Sequence, residues 1–157
     1  MPKVTPWLWF DTESEQAAEL YTSVFPNSRI LEVTRYGSAG PREEGLAMTV
    51  SFELDGQRVV ALNGGPDFKP TEAFSFQVDC EDQDEVDYYW DKLGDGGEHG
   101  PCGWLKDRFG LSWQIVPRRL PELLSDPDPE TAQRVMAAML EMRKLDVAEL
   151  ERAAAAA

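Results

Sequence analysis

Two hydrophobic periods alternate along the chain. In some segments every second residue is apolar, as in β-strands, and in others apolar residues recur every three or four positions, as in amphipathic helices. Strands are predicted over residues 4–10, 28–36, 46–54, 57–62, 74–78, 102–106 and 111–116. Helices are predicted between Thr12 and Pro26, between Asp79 and Gly94, and over 121–124, 131–144 and 147–152. The sequence therefore predicts an α+β fold.

Two hairpins are predicted from turn residues between strand patterns. Asp55-Gly56 separates residues 46–54 from 57–62 and supplies the positive φ angles of a type I′ turn. The second hairpin has an extended arm over 102–106, turn residues at 107–110 and an arm over 111–116. Alternation puts its residues on opposite faces, with Ser112, Gln114 and Val116 on one and Leu111, Trp113 and Ile115 on the other.

The order of elements occurs twice. Both halves contain a strand, an aspartate, a helix with an apolar stripe, and then a return to strand pattern with a hairpin. Three pairs of residues share one offset along the chain: Asp11 and Asp79, Tyr21 and Tyr89, and Phe25 and Leu93. An internal duplication is therefore predicted.

Polar residues mark the predicted helix starts. Residues 12–15, Thr-Glu-Ser-Glu, have the form of a capping box, in which a hydroxyl and a carboxylate satisfy free N–H groups. Asp11 and Asp79 are interpreted as caps or turn residues. Asp128 is a predicted cap followed by Pro129, and Asp146 begins the last helix, beyond which residues 153–157 are expected to fray.

Charge and composition limit the partners of the protein. Its 157 residues carry 29 Asp and Glu against 15 Lys and Arg, a net charge of −14, which disfavours nucleic acid and anionic membranes. No apolar run reaches the roughly 20 residues of a membrane helix, and residues 1–10 lack the apolar core of a signal peptide. Two cysteines do not form a disulfide framework, so we expect free thiols and a cytoplasmic location.

Several longer motifs resemble a known family. They are Pro6-Trp-Leu-Trp-Phe-Asp11, Phe52-Glu-Leu-Asp-Gly56, Ala61-Leu-Asn-Gly-Gly-Pro66, Val86-Asp-Tyr-Tyr-Trp90, Cys102-Gly-Trp-Leu-Lys-Asp107, Gly110-Leu-Ser-Trp-Gln-Ile-Val-Pro117 and Asp126-Pro-Asp-Pro129. They look like the PhnB-like branch of the vicinal oxygen chelate superfamily, the glyoxalase and bleomycin-resistance fold. This branch is often labelled 3-demethylubiquinone-9 3-methyltransferase-like.

The resemblance implies an architecture. Tandem βαβββ modules, at about residues 3–66 and 72–117, would form a cupped half-barrel with a pocket inside the cup, followed by a helical extension at about 120–157. It also implies a homodimer. The apolar residues of 135–140 and the nearby methionines are interpreted as a packing face, against the sheet or against a partner subunit.

The resemblance further implies metal ligands at the first strand and on the last strand of a module. The matching positions are Val4, Ala73 and Gln114, and a shift of two residues offers only Pro6 or Ser75. None of these side chains is a good metal ligand, so neither a metal nor another cofactor is expected. The methyltransferase label receives no support from residues 64–66, which follow a hairpin arm and open no helix.

Four residues are candidates for ligand binding: Asn63, Cys102, Trp104 and Gln114. The neutral amides of Asn63 and Gln114 could orient a ligand or make structural hydrogen bonds. Cys102 is a weak catalytic candidate, since His99 lies three residues away, but a packed thiol is the alternative.

The remaining aromatic candidates have alternatives of their own. Trp104 would share a face with Cys102 and Lys106 and could stack on a planar or cationic ligand, or it could belong to the core. His99 is interpreted as a solvated loop residue. The other four tryptophans, Trp7, Trp9, Trp90 and Trp113, are assigned to the core.

These inferences favour a protein that binds a small organic molecule without a metal centre. One alternative is an enzyme of the same fold, namely a lyase, isomerase or dioxygenase that depends on a metal or on Cys102. A stress or antibiotic-sequestering protein and a methyltransferase are further alternatives.

Overall fold

The protein was analysed as a computed structural model, which describes residues 2–156. In this range the chain forms eight strands and five helices, which confirms the predicted α+β class. The chain divides into two compact units, Met1–Pro70 and Thr71–Ala157. None of the helices among the described residues is long and apolar enough to cross a membrane.

The first unit is one βαβββ module. Its elements are β1 (Trp7–Phe10), α1 (Ser14–Val24), β2 (Arg29–Arg35), β3 (Ala47–Leu54) and β4 (Gln57–Asn63). The strands form one sheet in the order β1-β4-β3-β2, in which β1 and β4 are parallel and the other neighbours antiparallel. The Asp55-Gly56 turn is confirmed, because both residues have positive φ angles, 49° and 81°.

The second unit repeats this topology. Its module contains β5 (Ser75–Cys80), α2 (Gln83–Gly94), β6 (Glu98–His99), β7 (Trp104–Lys106) and β8 (Ser112–Pro117), with strand order β5-β8-β7-β6. β5 and β8 are parallel, as β1 and β4 are. The predicted pair of βαβββ modules is therefore confirmed. The sequence did not predict β6, which has two residues and thus no recognisable period.

The helix of each module covers one face of its own sheet. In the first unit the fully buried Tyr21 of α1 packs against Phe52 of β3, with ring centroids 6.2 Å apart. In the second unit Leu93 of α2 is fully buried, and Trp113 and Ile115 of β8 are 1% and 0% exposed. Burying each such side chain stabilises the fold by roughly 1.5–3 kcal/mol.

The two helices are capped differently. The capping box predicted for residues 12–15 does not form, since the Thr12 hydroxyl donates to the neighbouring Glu13 carboxylate at 3.3 Å. The backbone N–H of Ser14 instead donates to Oδ1 of Asn63, which is 49 residues away, at 2.9 Å. In α2 the cap is Asp82, whose carboxylate accepts from the backbone of Glu85 at 3.0 Å.

Neither Asp11 nor Asp79 is a helix cap, so the capping interpretation is wrong, although Asp11 lies in the bend between β1 and α1. Asp11 follows β1, and both its backbone carbonyl and its carboxylate accept hydrogen bonds from Arg42, the latter at 2.9 Å. Asp79 lies inside β5, where it accepts from the amide of Gln77 at 2.7 Å. Each aspartate is therefore engaged by a side chain and not by a helix N-terminus.

The turn of the second hairpin is built around a buried carboxylate. Asp107 is 3% exposed, and its Oδ1 accepts from the backbone N–H groups of Phe109 and Leu111 at 2.8 and 3.1 Å. Its Oδ2 accepts from the indole of Trp113 at 2.9 Å. The same side chain thus shapes the turn and joins it to the core.

Three helices complete the second unit: α3 (Arg119–Leu124), α4 (Pro129–Leu140) and α5 (Val147–Ala155). They share a small core of Leu120, Leu123, Val135, Leu145 and Leu150. The predicted caps of α4 and α5 are confirmed, since Asp128 and Asp146 accept from backbone N–H groups of the first turns.

Helix α4 ends at Leu140, four residues before the predicted end at 144. The chain leaves the helix there, and the carbonyls of Met142 and Arg143 accept from the backbone of Cys102 and Gly103 at 2.8 and 2.7 Å. Continuing the helix would direct these carbonyls along its axis, so the tertiary contact ends the helix.

Helix α5 reaches Ala155, beyond the predicted end at 152. Arg134 of α4 donates to the carbonyls of Ala153 and Ala154 at 3.0 and 2.9 Å, which explains the ordered end. Of the tail predicted to fray, residue 157 lies outside the described residues.

The methionine stripe packs mainly inside the extension. Met139 and Met142 are half-buried against the core of the three C-terminal helices, whereas Met136 and Leu140 are 36% and 60% exposed. The packing face predicted from the sequence is therefore mostly internal to this unit.

Candidate functional site

One face of the second unit's sheet carries polar side chains in two rows. Paired residues in neighbouring strands point to the same side of a sheet. The pairing therefore aligns Gln77, Gln114 and Trp104 in one row and Ser75, Ser112 and Lys106 in the next. We call these six residues the polar face. It lies opposite the face that carries Trp113 and Ile115.

A cavity of about 260 Å³ lies against this face. All the residues that line it belong to the second unit, and they include Glu72, Glu98, His99, Trp104, Lys106 and Ser112. Its volume is slightly below the roughly 300–1,000 Å³ of pockets that hold drug-sized molecules. The cavity therefore suits a small organic molecule.

Trp104 supplies the apolar wall of the cavity. Its side chain is half-buried, and its backbone is held at both ends: its carbonyl accepts from Gly100 at 2.8 Å, and its N–H donates to Pro101 at 3.0 Å. Trp104 and Lys106 share the polar face, as predicted from their spacing. These bonds hold the backbone of Trp104, and its indole can stack on a planar or cationic group.

Lys106 supplies the positive charge of the site. Its ammonium group forms an ion pair with Glu72, which holds the pKa of Glu72 below its usual value and raises the pKa of Lys106. Glu98 lies directly opposite Lys106 on β6. Both partners of the ion pair are largely exposed, so the pair adds little to stability and remains available to a ligand.

Ser112 has the most unusual environment in the cavity. It is fully buried, and its hydroxyl has no hydrogen-bond partner within the part of the chain that the structure describes. A buried polar group without a partner costs roughly 1–3 kcal/mol. Ser112 lines the cavity and shares a face with Lys106, so a bound molecule could supply the missing partner if the side chains that cover the hydroxyl moved aside.

Gln114 lies in the row next to Ser112. It is half-buried on β8, and its amide Nε2 donates to the hydroxyl of Ser75 at 3.0 Å. Its Cα partners are Gln77 and Trp104. The predicted ligand-binding residues Trp104 and Gln114 are thus brought together.

Cys102 is not on the polar face. The predicted extended arm over 102–106 is wrong at its start, because Cys102 has a φ of 56° and β7 begins at Trp104. The thiol donates to the carbonyl of Met139 at 3.6 Å, and the turn is held against residues 142–143. Gly103 follows with a φ of 83°, so two consecutive positive φ angles form a tight turn.

His99 is not a solvated loop residue, so that interpretation is also wrong. It belongs to β6, its ring stacks on Trp90 with centroids 4.5 Å apart, and its Nε2 is 3.0 Å from the carbonyl of Trp90. The side chain of His99 therefore contacts Trp90, and the thiol of Cys102 contacts the carbonyl of Met139. Among the described residues there is no hydrogen bond between His99 and Cys102 that would form a thiol–imidazole pair.

Asn63, the remaining candidate, lies in the first unit, where its side chain is fully buried. Its Oδ1 accepts from Ser14, and its Nδ2 donates to the carbonyl of Ala47 at 2.9 Å. Its backbone carbonyl accepts from the hydroxyl of Tyr36 at 2.7 Å. These structural hydrogen bonds account for the amide without a ligand.

The tryptophans differ in their burial. Trp90 and Trp113 are in the core as predicted, and Trp9 is half-buried, but Trp7 is 58% exposed. Trp7 lies on the edge strand β1, which explains the error, because an edge position need not be covered.

The sequence did not predict that Ser112, Glu72 and Glu98 line a cavity. The alternation in β8 placed Ser112 on the right face, but burial without a hydrogen-bond partner is visible only in three dimensions. Glu72 lies in a segment without periodic pattern, and its pairing with Lys106 spans 34 positions. No local signal could have predicted it.

The residues present do not fit the metal centre that the fold family implies. Val4 and Pro6 precede β1, Ala73 precedes β5, and Gln114 offers a neutral amide engaged with Ser75. Among residues 2–156, no three His, Cys, Asp or Glu side chains lie close enough together to hold a metal ion. A hard or borderline metal would lack its usual donors here.

The glycines of residues 64–66 have a structural role. A Cβ atom at Gly64 would lie 2.4 Å from the ring of Trp9, and the indole of Trp9 donates to the carbonyl of Gly65 at 2.9 Å. No helix begins between β4 and β5. The motif therefore wraps around Trp9 and does not have the arrangement of a methyl-donor loop.

Comparisons with known proteins agree with this fold. Residues 2–116 match the family model described as 3-demethylubiquinone-9 3-methyltransferase. A PhnB protein from Bacillus cereus with the same description is 33% identical, with a TM-score of 0.67, and the alignment covers 74% of this chain and 99% of that one. No curated protein sequence is significantly similar to the chain.

More distant structures share the fold alone. A protein from Pseudomonas aeruginosa is 16% identical with a TM-score of 0.63, covering 74% of this chain and 98% of that one. The fosfomycin resistance protein FosX from Listeria monocytogenes is 17% identical with a TM-score of 0.54, covering 77% and 94%. From the family match and the Bacillus cereus relative, we conclude that the chain belongs to the PhnB-like, 3-demethylubiquinone-9 3-methyltransferase family of the vicinal oxygen chelate superfamily.

Proposed function

We propose that the protein binds a small organic molecule in the cavity at the polar face of its second unit. The observation that carries this proposal is the hydroxyl of Ser112, which is fully buried at the wall of a cavity and has no hydrogen-bond partner among residues 2–156. A ligand that displaced the side chains covering this hydroxyl could supply the missing hydrogen bond and remove the cost of the unsatisfied group. Trp104 would contribute stacking, and Lys106 and Glu72 a pair of charges.

Binding would not depend on a metal. The polar face offers hydroxyl, amide, indole and ammonium groups, which orient an organic molecule but do not replace the donor set of a metal centre. Elemental analysis of protein purified without chelator tests this part. Stoichiometric zinc, nickel, iron or manganese would contradict it.

Native mass spectrometry of gently purified protein tests the binding itself. We expect an additional mass of a small organic molecule that is released on denaturation. Trp104→Ala should weaken retention at least tenfold, because the indole is the largest apolar surface of the cavity. Trp7→Ala is the matched control, since Trp7 is an exposed tryptophan of the first unit. This variant should retain the bound molecule as well as the wild type does.

An enzyme of the same fold is the second candidate, and Cys102 is the residue on which a thiol-dependent form would rest. The thiol is partly exposed and donates to a backbone carbonyl. If a co-purified molecule is converted by the protein, Cys102→Ser distinguishes the cases. Unchanged turnover would exclude the thiol as a nucleophile.

A homodimer in the cytoplasm completes the proposal. Met136 and Leu140 are the exposed apolar residues of α4 that could contribute to a contact between copies. Light scattering at micromolar concentration should give twice the mass of one chain. A monomeric mass would contradict this part.

A further inference from the structure

The charges around the cavity are unequal. Glu72, Glu98 and Lys106 line it, so two carboxylates face one ammonium group. Lys106 is already paired with Glu72, and Glu98 lies opposite Lys106 on the neighbouring strand. The Glu72, Glu98 and Lys106 side chains together carry a net charge of −1, which one additional cation would neutralise.

The surrounding unit strengthens this bias. Residues 71–157 contain 19 acidic and 9 basic residues, whereas residues 1–70 contain 10 and 6. The negative charge is thus concentrated in the unit that holds the cavity. A negative field attracts cations and raises their local concentration near a cleft.

Two of the uncharged residues that line the cavity, Trp104 and Ser112, are suited to the same kind of ligand. The face of an indole such as Trp104 attracts a cation by roughly 0.5–2 kcal/mol, depending on desolvation. The oxygen of Ser112 has no hydrogen-bond partner in the described part of the chain and could accept one if the side chains that cover it moved aside, and an ammonium group is a donor only. Trp104 and Ser112 lie on the same face of the sheet, in neighbouring rows.

An anionic ligand fits these contacts less well. It would have to share the ammonium group of Lys106 with Glu72 and would then lie close to the carboxylates of Glu72 and Glu98. Like charges at such separations repel, and the repulsion grows as the ligand excludes water.

We infer that the cavity selects a singly charged organic ammonium ion on a small aromatic or apolar body, with the body against Trp104 and the cationic group between Ser112 and the two glutamates. This inference rests on the proposed function, since it names the class of ligand for the same site. It requires no metal and no covalent step.

Three probes of matched size test the inference: 2-phenylethylammonium, 2-phenylethanol and phenylacetate. Binding is followed by NMR titration at low salt, with the indole N–H of Trp104 and the backbone N–H of Ser112 as reporters. We expect the ammonium probe to bind at least about tenfold more tightly than either other probe. Its advantage should shrink in 0.5 M NaCl, because salt screens the attraction.

Two variants locate the source of the preference. Glu98→Gln should reduce the advantage of the ammonium probe about threefold or more, since it removes one carboxylate from an exposed position without changing its size. Glu130→Gln is the matched control, because Glu130 is an exposed glutamate on α4 that does not line the cavity. It should leave all three affinities unchanged.

The outcomes separate this inference from the proposed function. If phenylacetate or 2-phenylethanol shifts the reporters with equal or higher affinity, the charge preference is wrong and the binding site stands. If Glu130→Gln has the same effect as Glu98→Gln, the preference comes from overall charge, and the inferred site of the cation is wrong. If no probe shifts either reporter at 10 mM, both the inference and the proposed cavity are overturned.

Discussion

The two units have the same topology, but the faces opposite their helices differ in chemistry. Corresponding rows follow from the strand pairing and the shared strand order. In the first unit the rows are Trp9, Leu62 and Thr49, and Trp7, Val60 and Ser51. In the second unit they are Gln77, Gln114 and Trp104, and Ser75, Ser112 and Lys106.

The comparison shows that the helix-covered face is similar in the two units, whereas the residues of the opposite face differ. The helix-covered face is apolar in both units and includes Phe10 and Val50 in the first and Ile115 in the second. Since that face supplies the burial that stabilises a module, the other face is free to carry polar groups. In the first unit this face carries two tryptophans, two aliphatic residues and the hydroxyl residues Thr49 and Ser51, and in the second it carries amide, hydroxyl and charged groups beside a cavity.

The largest expected effect concerns the hairpin turns. Asp107→Ala should lower the free energy of unfolding by about 3 kcal/mol, because three N–H donors lose their buried acceptor. The corresponding turn of the first unit depends on backbone geometry. Asp55→Ala should therefore lower the free energy of unfolding by only about 1 kcal/mol, because alanine adopts the positive φ angle of this position less readily than aspartate does. Urea unfolding of both variants measures the difference, and equal losses would contradict it.

The helix starts should differ next. Asn63→Ala removes the acceptor of Ser14 and the donor to Ala47 inside the core, so we expect a loss of about 2 kcal/mol. The cap of α2 is exposed, and Asp82→Ala should cost about 1 kcal/mol. Chemical denaturation tests the order. A smaller loss for Asn63→Ala would argue that its hydrogen bonds are not structural.

The buried thiol of Cys80 should make the stability of the folded protein fall at alkaline pH. Burial first, and the nearby Glu85, Asp79 and Asp82 carboxylates second, raise its pKa from 9.0 to about 12. Above pH 9 the unfolded chain releases this proton while the folded chain retains it, so stability falls as pH rises from 9 towards 12.

The stability of wild type relative to Cys80→Ala should therefore fall by about 1.4 kcal/mol per pH unit in this range. Urea unfolding at pH 8, 9.5 and 10.5 measures the trend. A difference between the two proteins that does not change with pH would contradict the raised pKa.

The smallest effect is expected from exchanging a residue of the polar face for its counterpart. Gln114→Leu copies Leu62 of the first unit and should change the free energy of unfolding by less than about 1 kcal/mol, since the amide is half-buried and makes one hydrogen bond, to Ser75. A large loss of stability would mean that the polar face is structural.

The sequence predicted most of the elements for reasons that are local. Asp55-Gly56 requires a type I′ turn whatever surrounds it, and alternation alone placed Ser112 and Gln114 on one face of β8. The repeated order of elements predicted two modules before any pairing was known, because the same local patterns recur.

Several of the errors share one cause, which is competition from groups that are distant along the chain. Thr12 could have capped α1, but its hydroxyl donates to Glu13, and Asn63 of β4 accepts from the backbone N–H of Ser14 in the first turn. Cys102 could have extended β7, but the carbonyls of Met142 and Arg143 hold its turn. A pattern read along the chain cannot weigh partners that lie about 40 to 50 residues away.

The sequence by itself therefore determined the fold class, the duplication, the family and the net charge, since each depends on composition, period or motif. Tertiary structure alone decided which of the candidate residues share a site. It brought Trp104, Lys106 and Ser112 to one cavity and paired Lys106 with Glu72. It also placed Cys102 in a turn and engaged Asn63 in the core, because hydrogen-bond satisfaction and burial are properties of the folded chain.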